Sequence, residues 1–425
     1  MTQRPSSTPI TLTDEQSAAV EAILEFLVDP ERLFFTLDGF AGTGKTFCMR
    51  EVVARCQSSK LTFAFTAPTN KAAKVLRSIA GEACTIYSLL GLRIDKTGEV
   101  KQLVTGKGKV DLSHLDAVFL DEASMVNTQL FNILKDKAVQ TNLKVVFMGD
   151  KAQLPPVKES ISPIWKADFG GASLTKVMRH DNQVLTLATK IRGQLESFTP
   201  TITLENDNNM AEGVFKMTKP AFKKALYEAA ASGEFTTSDS KAIAWRNVKV
   251  AEYNNLIRAA IFGGAAIEGE FLFGDQIVAA GPCMKGDDVL LSTDDEAIVE
   301  SVIVCKHPME PKYTVSELTC RTEANVVIRL LVLHPLSKES FEYDSLKLAN
   351  EAKANSRLWK KFWEHKELFH EVKYAYALTV HRAQGSTYKN VWVDYQDVLL
   401  NRNRKEAFQC LYVAVTRPTT KLFLA

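Results

Sequence analysis

LFFTLDGFAGTGKTFCMREVVA, residues 33–54, is the stretch on which the fold turns. An apolar, strand-like run at 33–37 leads into Gly39-Phe40-Ala41-Gly42-Thr43-Gly44-Lys45-Thr46, and a helix-compatible segment at 45–54 follows. The octet fits the G-x-x-x-x-G-K-[ST] loop between a strand and a helix, where that loop has to lie. Glycines let successive backbone N–H groups wrap a polyphosphate, and the helix N-terminus adds partial positive charge. Lys45 can neutralise β and γ phosphates, and the Thr46 hydroxyl can coordinate magnesium. The pattern arises by chance in roughly 1–2% of chains this long; the flanking elements reduce that further.

Outward from the loop, helix-compatible and strand-like segments alternate. Val20, Ile23, Leu24 and Leu27 have helical spacing, with Thr13 or Asp14 as cap. Strands are predicted at 61–65, 117–120 and 144–148, and helices at 71–79 and 125–137. Such alternation implies an α/β fold with a parallel sheet covered on both faces, and ligands gather beyond the carboxyl ends of its strands. There the apolar run Val118-Phe119-Leu120 delivers Asp121 and Glu122. Asp121 suits the magnesium shell, and Glu122 suits the orientation or deprotonation of an attacking water. A solvated Asp-Glu pair is the commoner reading of those two residues alone; their placement after the phosphate loop favours catalysis.

The alternation stops between residues 91 and 109, where Lys-Thr-Gly and Gly-Lys-Gly turns predict a basic hairpin carrying Lys96, Lys101, Lys107 and Lys109. It resumes near residue 184 and at 242–245. A strand-rich insert follows at 271–333, with runs at 276–279, 297–304 and 325–333, then a charged, helix-compatible stretch at 345–370. Trp359, Phe362 and Trp363 are spaced as one helical stripe, which predicts core packing over DNA contact. Strand-like segments at 371–377 and 390–395 return to α/β character.

Composition limits the function classes. The 425 residues are 46% hydrophobic and 24% charged, with net charge +2, so several domains can bury cores. Any nucleic-acid groove must be locally basic. No apolar run reaches bilayer length and residues 1–9 lack the apolar stretch of a secretory leader, which predicts a soluble, cytoplasmic protein with no membrane partner. Seven cysteines without framework spacing predict reduced thiols. Cys305, His307 and Cys320 lack the close pair a zinc site usually has.

Further stretches appear in a fixed order: Leu12-Thr13-Asp14-Glu15-Gln16, Ala67-Pro68-Thr69-Asn70-Lys71-Ala72-Ala73, Thr85-Ile86-Tyr87-Ser88-Leu89-Leu90, Asp121-Glu122-Ala123-Ser124-Met125 and Gly149-Asp150-Lys151-Ala152-Gln153-Leu154-Pro155-Pro156-Val157. Leu174-Thr175-Lys176-Val177-Met178-Arg179, Thr379-Val380-His381-Arg382-Ala383-Gln384-Gly385-Ser386-Thr387 and Leu411-Tyr412-Val413-Ala414-Val415-Thr416-Arg417 complete the set. With these motifs the sequence resembles the superfamily 1 helicases, and within them the Dda and RecD-like subgroup, superfamily 1B; residues 67–73, 85–90, 121–125, 149–157, 174–179, 379–387 and 411–417 resemble its motifs Ia, Ib, II, III, IV, V and VI. The resemblance reaches from residue 12 to the C-terminus apart from the insertions.

That resemblance implies two RecA-like parallel-sheet lobes, a pin hairpin inserted in the first and an SH3-like β insertion in the second. The implied boundaries are 1–90 and 110–183 for the first lobe, 91–109 for the pin, 184–261 and 371–425 for the second lobe, and 262–370 for its insertion. It implies ATP and Mg2+ as cofactors, and single-stranded DNA and single-strand/duplex junctions as partners. It further implies a monomer translocating 5′ to 3′ in a bacterial or phage-infected cell, with replication or recombination proteins as further partners. Gln16 would read adenine; Arg179 and Arg417 would act as arginine fingers on the transferring phosphoryl group. Gln153, Gln384 and Gly385 would couple nucleotide state to the DNA groove, and Pro68, Thr69, Asn70, Thr85, Tyr87, Ser88, Asn247, Thr379 and His381 would touch the strand. For the short hydroxyl and amide residues, helix capping and turn chemistry are the competing reading. The pin departs from close relatives: no aromatic lies between Gly91 and Leu112, and Asn70 stands where motif Ia can carry His. Two other classes stay open: a DNA-stimulated ATPase switch that does not unwind, and a nuclease, for which no extra carboxylate cluster is visible.

Overall fold

Five buried side chains on the strands at the chain's centre, Phe35, Leu37, Phe119, Val146 and Phe147, begin a core that lies on both faces of one sheet. The computed structural model describes residues 12–94, 100–102, 110–177, 183–197, 204–209, 211–267, 269–286 and 288–425. Six strands form that sheet in the order Cys84–Thr85, Phe63–Ala67, Ala117–Leu120, Lys144–Gly149, Phe34–Gly39, Gly171–Leu174. Every pairing is parallel, so crossovers must run over its faces. Helices Asp14–Val28, Lys45–Arg55 and Asn70–Ala80 cover one face. Helix Thr128–Thr141 covers the other. The sequence predicts this last helix at 125–137. Instead a short 3-10 turn, Ala123–Met125, intervenes, and the Asn127 side chain caps the helix by accepting from Leu130 N at 2.8 Å.

The chain divides into two compact units, one running to Thr203 and taking back Gln384–Ser386 and Asn403–Thr416, the other holding the remainder. Helix Gln183–Ser197 therefore groups with the first unit, later than the break predicted at 184. The predicted hairpin insertion is seen as the antiparallel pair Leu92–Ile94 and Val100–Gln102; Lys96, Lys107 and Lys109 lie outside the described residues.

The second unit is also RecA-like. Its sheet runs Ala377–Thr379, Ser240–Ala244, Tyr388–Val393, Pro418–Leu424, Gly213–Lys216, Asp207–Asn208, parallel except for the last pair. Helices Lys219–Ala231 and Asn247–Phe262 pack on it. The insertion forms a separate five-stranded antiparallel sheet, Val327–Leu333, Thr314–Thr322, Glu296–Lys306, Gln276–Ala279, Val372–Tyr374.

Two strand predictions need correction. Thr314–Thr322 pairs along most of its length with both neighbours, yet its Thr, Ser, Glu and Arg content hides it as a strand. The segment predicted at 371–377 as one strand of the parallel sheet divides: Val372–Tyr374 pairs with Gln276–Ala279, and only Ala377–Thr379 joins the parallel sheet. The seam between the two sheets is polar and buried. Arg258 pairs with Asp275 at 2.8 Å, Tyr376 donates to the same carboxylate at 3.0 Å, and Lys241 reaches Glu296 at 2.8 Å. Removing one partner of such a pair costs about 3–5 kcal/mol, so these contacts fix the insert's attachment.

The helix-compatible stretch at 345–370 is two helices, Lys338–Ala354 and Trp359–Lys366. The core-packing expectation for Trp359, Phe362 and Trp363 is not met: no residue of the second helix is buried, and the three rings group with one another.

Candidate nucleotide and nucleic-acid site

The phosphate loop sits between strand Phe34–Gly39 and helix Lys45–Arg55 and is held by its own side chains. Lys45 Nζ donates to the carbonyls of Gly39 at 2.6 Å and Phe40 at 3.0 Å, and Thr43 Oγ1 donates to Phe40 O at 2.9 Å. Gln16, the predicted adenine reader, is buried. Its Oε1 accepts from Thr13 N in a capping box, and its Nε2 donates to Thr43 O at 3.0 Å. Gln16 therefore braces the loop, with one amide proton left over. Gly44 has φ +86°, and a Cβ there would stand 2.5 Å from Gln16 Nε2, so glycine is required twice over.

At the end of strand Ala117–Leu120, Asp121 Oδ1 accepts from Glu122 N at 2.8 Å. Desolvation pushes the Asp121 carboxyl up although the residue keeps some exposure, and the charge of Lys45 pulls against it. That carboxylate, together with the hydroxyl of Thr46, the residue after Lys45 in the first helical turn, is a donor set that suits a hard divalent cation. Glu122 has φ +54°, a left-handed conformation unusual for a glutamate, and such strain clusters at working sites.

Motif III is the hub. Asp150 is fully buried and accepts from Arg192, from Tyr412 Oη at 2.6 Å and from Ala152 N at 3.0 Å. Ser124 of motif II donates to the Asp150 carbonyl at 2.6 Å. The Arg192 guanidinium lies 3.7 Å over the Phe40 ring of the phosphate loop. Gln153 Oε1 accepts from Gln384 Nε2 at 3.2 Å, and Gln153 O accepts from Gln409 Nε2 at 3.1 Å. All three glutamines are buried. Gly385, at φ +75°, would place a Cβ 3.3 Å from Ala72 and 3.7 Å from Thr69 Oγ1, so motif V packs against the motif Ia helix.

Several of these residues carry no sequence expectation. Arg192, Tyr412, Gln409 and Ser124 come together only through packing. One clue was available: Val184, Ala188, Ile191 and Arg192 share one helical stripe, and a charge on an apolar stripe calls for a buried partner.

Two comparisons and one structural likeness bear on this arrangement. A family model described as an AAA domain matches residues 11–206, and one described as a UvrD-like helicase C-terminal domain matches residues 374–425. The chain is 26% identical to the ATP-dependent DNA helicase dda of Enterobacteria phage T4, over 97% of this chain and 98% of that protein. These matches agree with the superfamily 1B resemblance carried by the motifs. An uncharacterized protein of Acanthamoeba polyphaga mimivirus is 23% identical over 96% of this chain and 98% of its own length. In fold, the chain resembles the crystal structure of Pif1 helicase from Bacteroides in complex with ADP-AlF3 and ssDNA. The TM-score is 0.54 at 15% identity, covering 97% of this chain and 92% of that one.

The predicted contacts with a nucleic-acid strand fall in both units. In the first, Thr69 and Thr85 cap helices by accepting from Ala72 N at 3.2 Å and Ser88 N at 3.1 Å, so the capping role operates at both. Asn70 opens the helix that Thr69 caps, Pro68 is buried beneath it, and Ser88 is exposed. Tyr87 is half-buried against the core, and burial pushes its hydroxyl pKa up. In the second unit Asn247 is exposed at the first turn of its helix, Thr379 ends its strand, and His381 is half-buried. Arg382 beside it pairs with Asp294 and donates to Ala279 O at 2.9 Å, tying motif V to the insertion. Arg417 is buried at the head of strand Pro418–Leu424, its carbonyl accepting from Tyr388 N at 3.0 Å. Arg179 lies outside the described residues. Among the described residues, no helix is long and apolar enough to cross a membrane.

Proposed function

We propose that this ATP-dependent DNA helicase of the Dda and Pif1 type translocates 5′ to 3′ on single-stranded DNA as a monomer, driven by nucleotide-dependent movement of its two RecA-like units. The observation that carries the reading is the hydrogen-bonded set Gln153, Gln384 and Gln409. Gln384 lies four residues before strand Tyr388–Val393, and Gln409 lies in helix Arg404–Val415, which runs into Arg417. Both segments that leave this set therefore continue into the second unit's sheet, so a change at motif III reaches it through the main chain.

Lys45 would neutralise the β and γ phosphates of ATP. Thr46 and Asp121 would hold Mg2+, whose role is to offset charge on the phosphates. Glu122 would orient the attacking water, and Arg417 and Arg179 would stabilise the equatorial oxygens of the transferring group. Thr69, Asn70, Thr85, Ser88, Asn247, Thr379 and His381 would follow the phosphate backbone without reading bases.

The test is an unwinding assay on 5′-tailed and 3′-tailed duplexes beside DNA-stimulated ATPase. Displacement from the 5′-tailed substrate alone supports the reading. Hydrolysis indifferent to DNA, or displacement only from the 3′-tailed substrate, refutes it. Lys45→Ala should abolish hydrolysis, whereas Arg417→Ala should leave ATP binding and collapse turnover. Deleting residues 98–107 should abolish unwinding and spare DNA-stimulated ATPase; retained unwinding would remove the pin from the mechanism.

A further inference from the structure

Helix Trp359–Lys366 belongs to none of the helicase motifs, and its composition is unusual: Trp359, Phe362 and Trp363 interleaved with Lys360, Lys361 and Lys366. The adjoining helix and turn add Lys353 and Arg357, so residues 353–366 hold five basic side chains against Glu364 alone. Lys353, Arg357, Lys360 and Lys361 are all exposed. Among the described residues the one ion pair these four make is Lys360 with Glu364, at 3.8 Å and open to solvent. A pair of that kind contributes little and leaves the positive field standing.

The rings are equally unspent. The local core is built by Tyr313, Phe341 and Phe369, all buried, and the ring that this helix sends to it is His365, stacked on Phe341 at 4.5 Å. Trp359, Phe362 and Trp363 stand outside that core. Trp359 and Phe362 meet edge to face at 5.3 Å, Phe362 and Trp363 at 5.0 Å, and the two indoles lie 29° apart in plane at 6.5 Å. Each ring is partly buried and keeps a share of its surface open to a ligand.

We propose that the Trp359–Trp363 face of the insertion is a second binding surface for single-stranded nucleic acid, on which unpaired bases stack while the flanking lysines follow the backbone. Charge selects this occupant. A polyanion is drawn to a net-positive segment, and planar bases match aromatic faces without sequence preference. The preceding helix, Lys338–Ala354, mixes acidic and basic residues and offers no such field. The proposal rests on the helicase reading only in supplying the strand; the surface is separate from the motif residues that would grip it.

The test uses the full chain without nucleotide and fluorescence anisotropy with oligothymidylates of about 8 and about 30 nucleotides, the shorter being of single-module length. Trp359→Ala with Trp363→Ala should weaken the long oligomer roughly tenfold and leave the short one unchanged. Trp359→Phe with Trp363→Phe should restore most of the loss, since a phenyl face still stacks, and circular dichroism checks that each variant is folded. Lys360→Gln with Lys361→Gln should reduce the slope of log affinity against log salt by about 1.4 for the long oligomer, two phosphate contacts at about 0.7 each. A folded alanine variant that binds the long oligomer within twofold of the parent overturns the proposal and leaves the face to a protein partner. Equal losses on both oligomers overturn it as well. Displacement only from a 3′-tailed duplex, with the long oligomer still weakened in the alanine variant, leaves this surface standing while the translocation reading fails.

Discussion

Arg192→Met should be among the most damaging single substitutions in the first unit. Arg192 and Asp150 are both buried, at 3% and 0% exposure, and their ion pair is closed off from solvent. Removing the arginine leaves a carboxylate with two neutral donors, Tyr412 Oη and Ala152 N. Breaking a buried pair from one side costs about 3–5 kcal/mol. In a unit of roughly 200 residues each kcal/mol shifts Tm by about 2–4 °C, so the fall should be about 6–20 °C. Asp150→Asn should cost a similar amount, because it strands the guanidinium. The double variant holds neither charge, and its amide can still accept from Tyr412 and Ala152. It should therefore recover at least about 3 kcal/mol relative to the sum of the single losses. Calorimetry on the four proteins measures this coupling. Steady-state ATPase gives a second readout: the guanidinium also seats the Phe40 ring of the phosphate loop. Arg192→Met should thus lower kcat roughly 10- to 100-fold, as small displacements of catalytic groups do, with KM for ATP changing less. Additive single losses would refute the reasoning, for then the pair would not be acting as a unit.

Gly44→Ala should destabilise the loop by about 1–3 kcal/mol, combining a left-handed backbone with a clash against Gln16, and adding Gln16→Ala should return part of it; unfolding curves without nucleotide decide. Arg382→Met should loosen the insertion from motif V, because Asp294 loses its guanidinium partner and the Ala279 carbonyl loses one of its two donors; limited proteolysis in the 280–295 region should accelerate, and an unchanged cleavage rate would exclude the tether. Burial lowers the His365 pKa from its ordinary value near 6.5, so the folded chain favours the neutral ring. That contribution is fully present above pH 6.5 and declines as pH falls from there toward the depressed folded value. His365→Phe should flatten the acid side of the stability profile of the Lys338–Lys366 helices, read by hydrogen exchange at their amides.

Much of this protein was written locally. The loop at residues 39–46, the carboxylates ending strand Ala117–Leu120 and the alternation around them are short-range patterns, and backbone sterics and hydrophobic periodicity decide them within a few residues. The parallel sheets, the hairpin and the presence of a β insert were therefore legible before any coordinates. Strand Thr314–Thr322 was not: its polar residues take their conformation from two flanking partners, and β preference depends on such neighbours. The stripe of Trp359, Phe362 and Trp363 also misled, because helical spacing shows which side chains share a face and says nothing of what covers it.

The tertiary structure alone decided which polar groups would meet. Arg192 and Tyr412 lie 42 and 262 residues along the chain from Asp150, and Gln153 and Gln384 lie 231 apart. No local rule brings such residues together. A buried charge must find a partner wherever packing delivers one, and the sequence recorded that requirement only as an arginine on an apolar stripe. The phosphate loop is fixed by its own short segment, whereas the network behind it exists only once the C-terminal segment has folded back onto the first sheet.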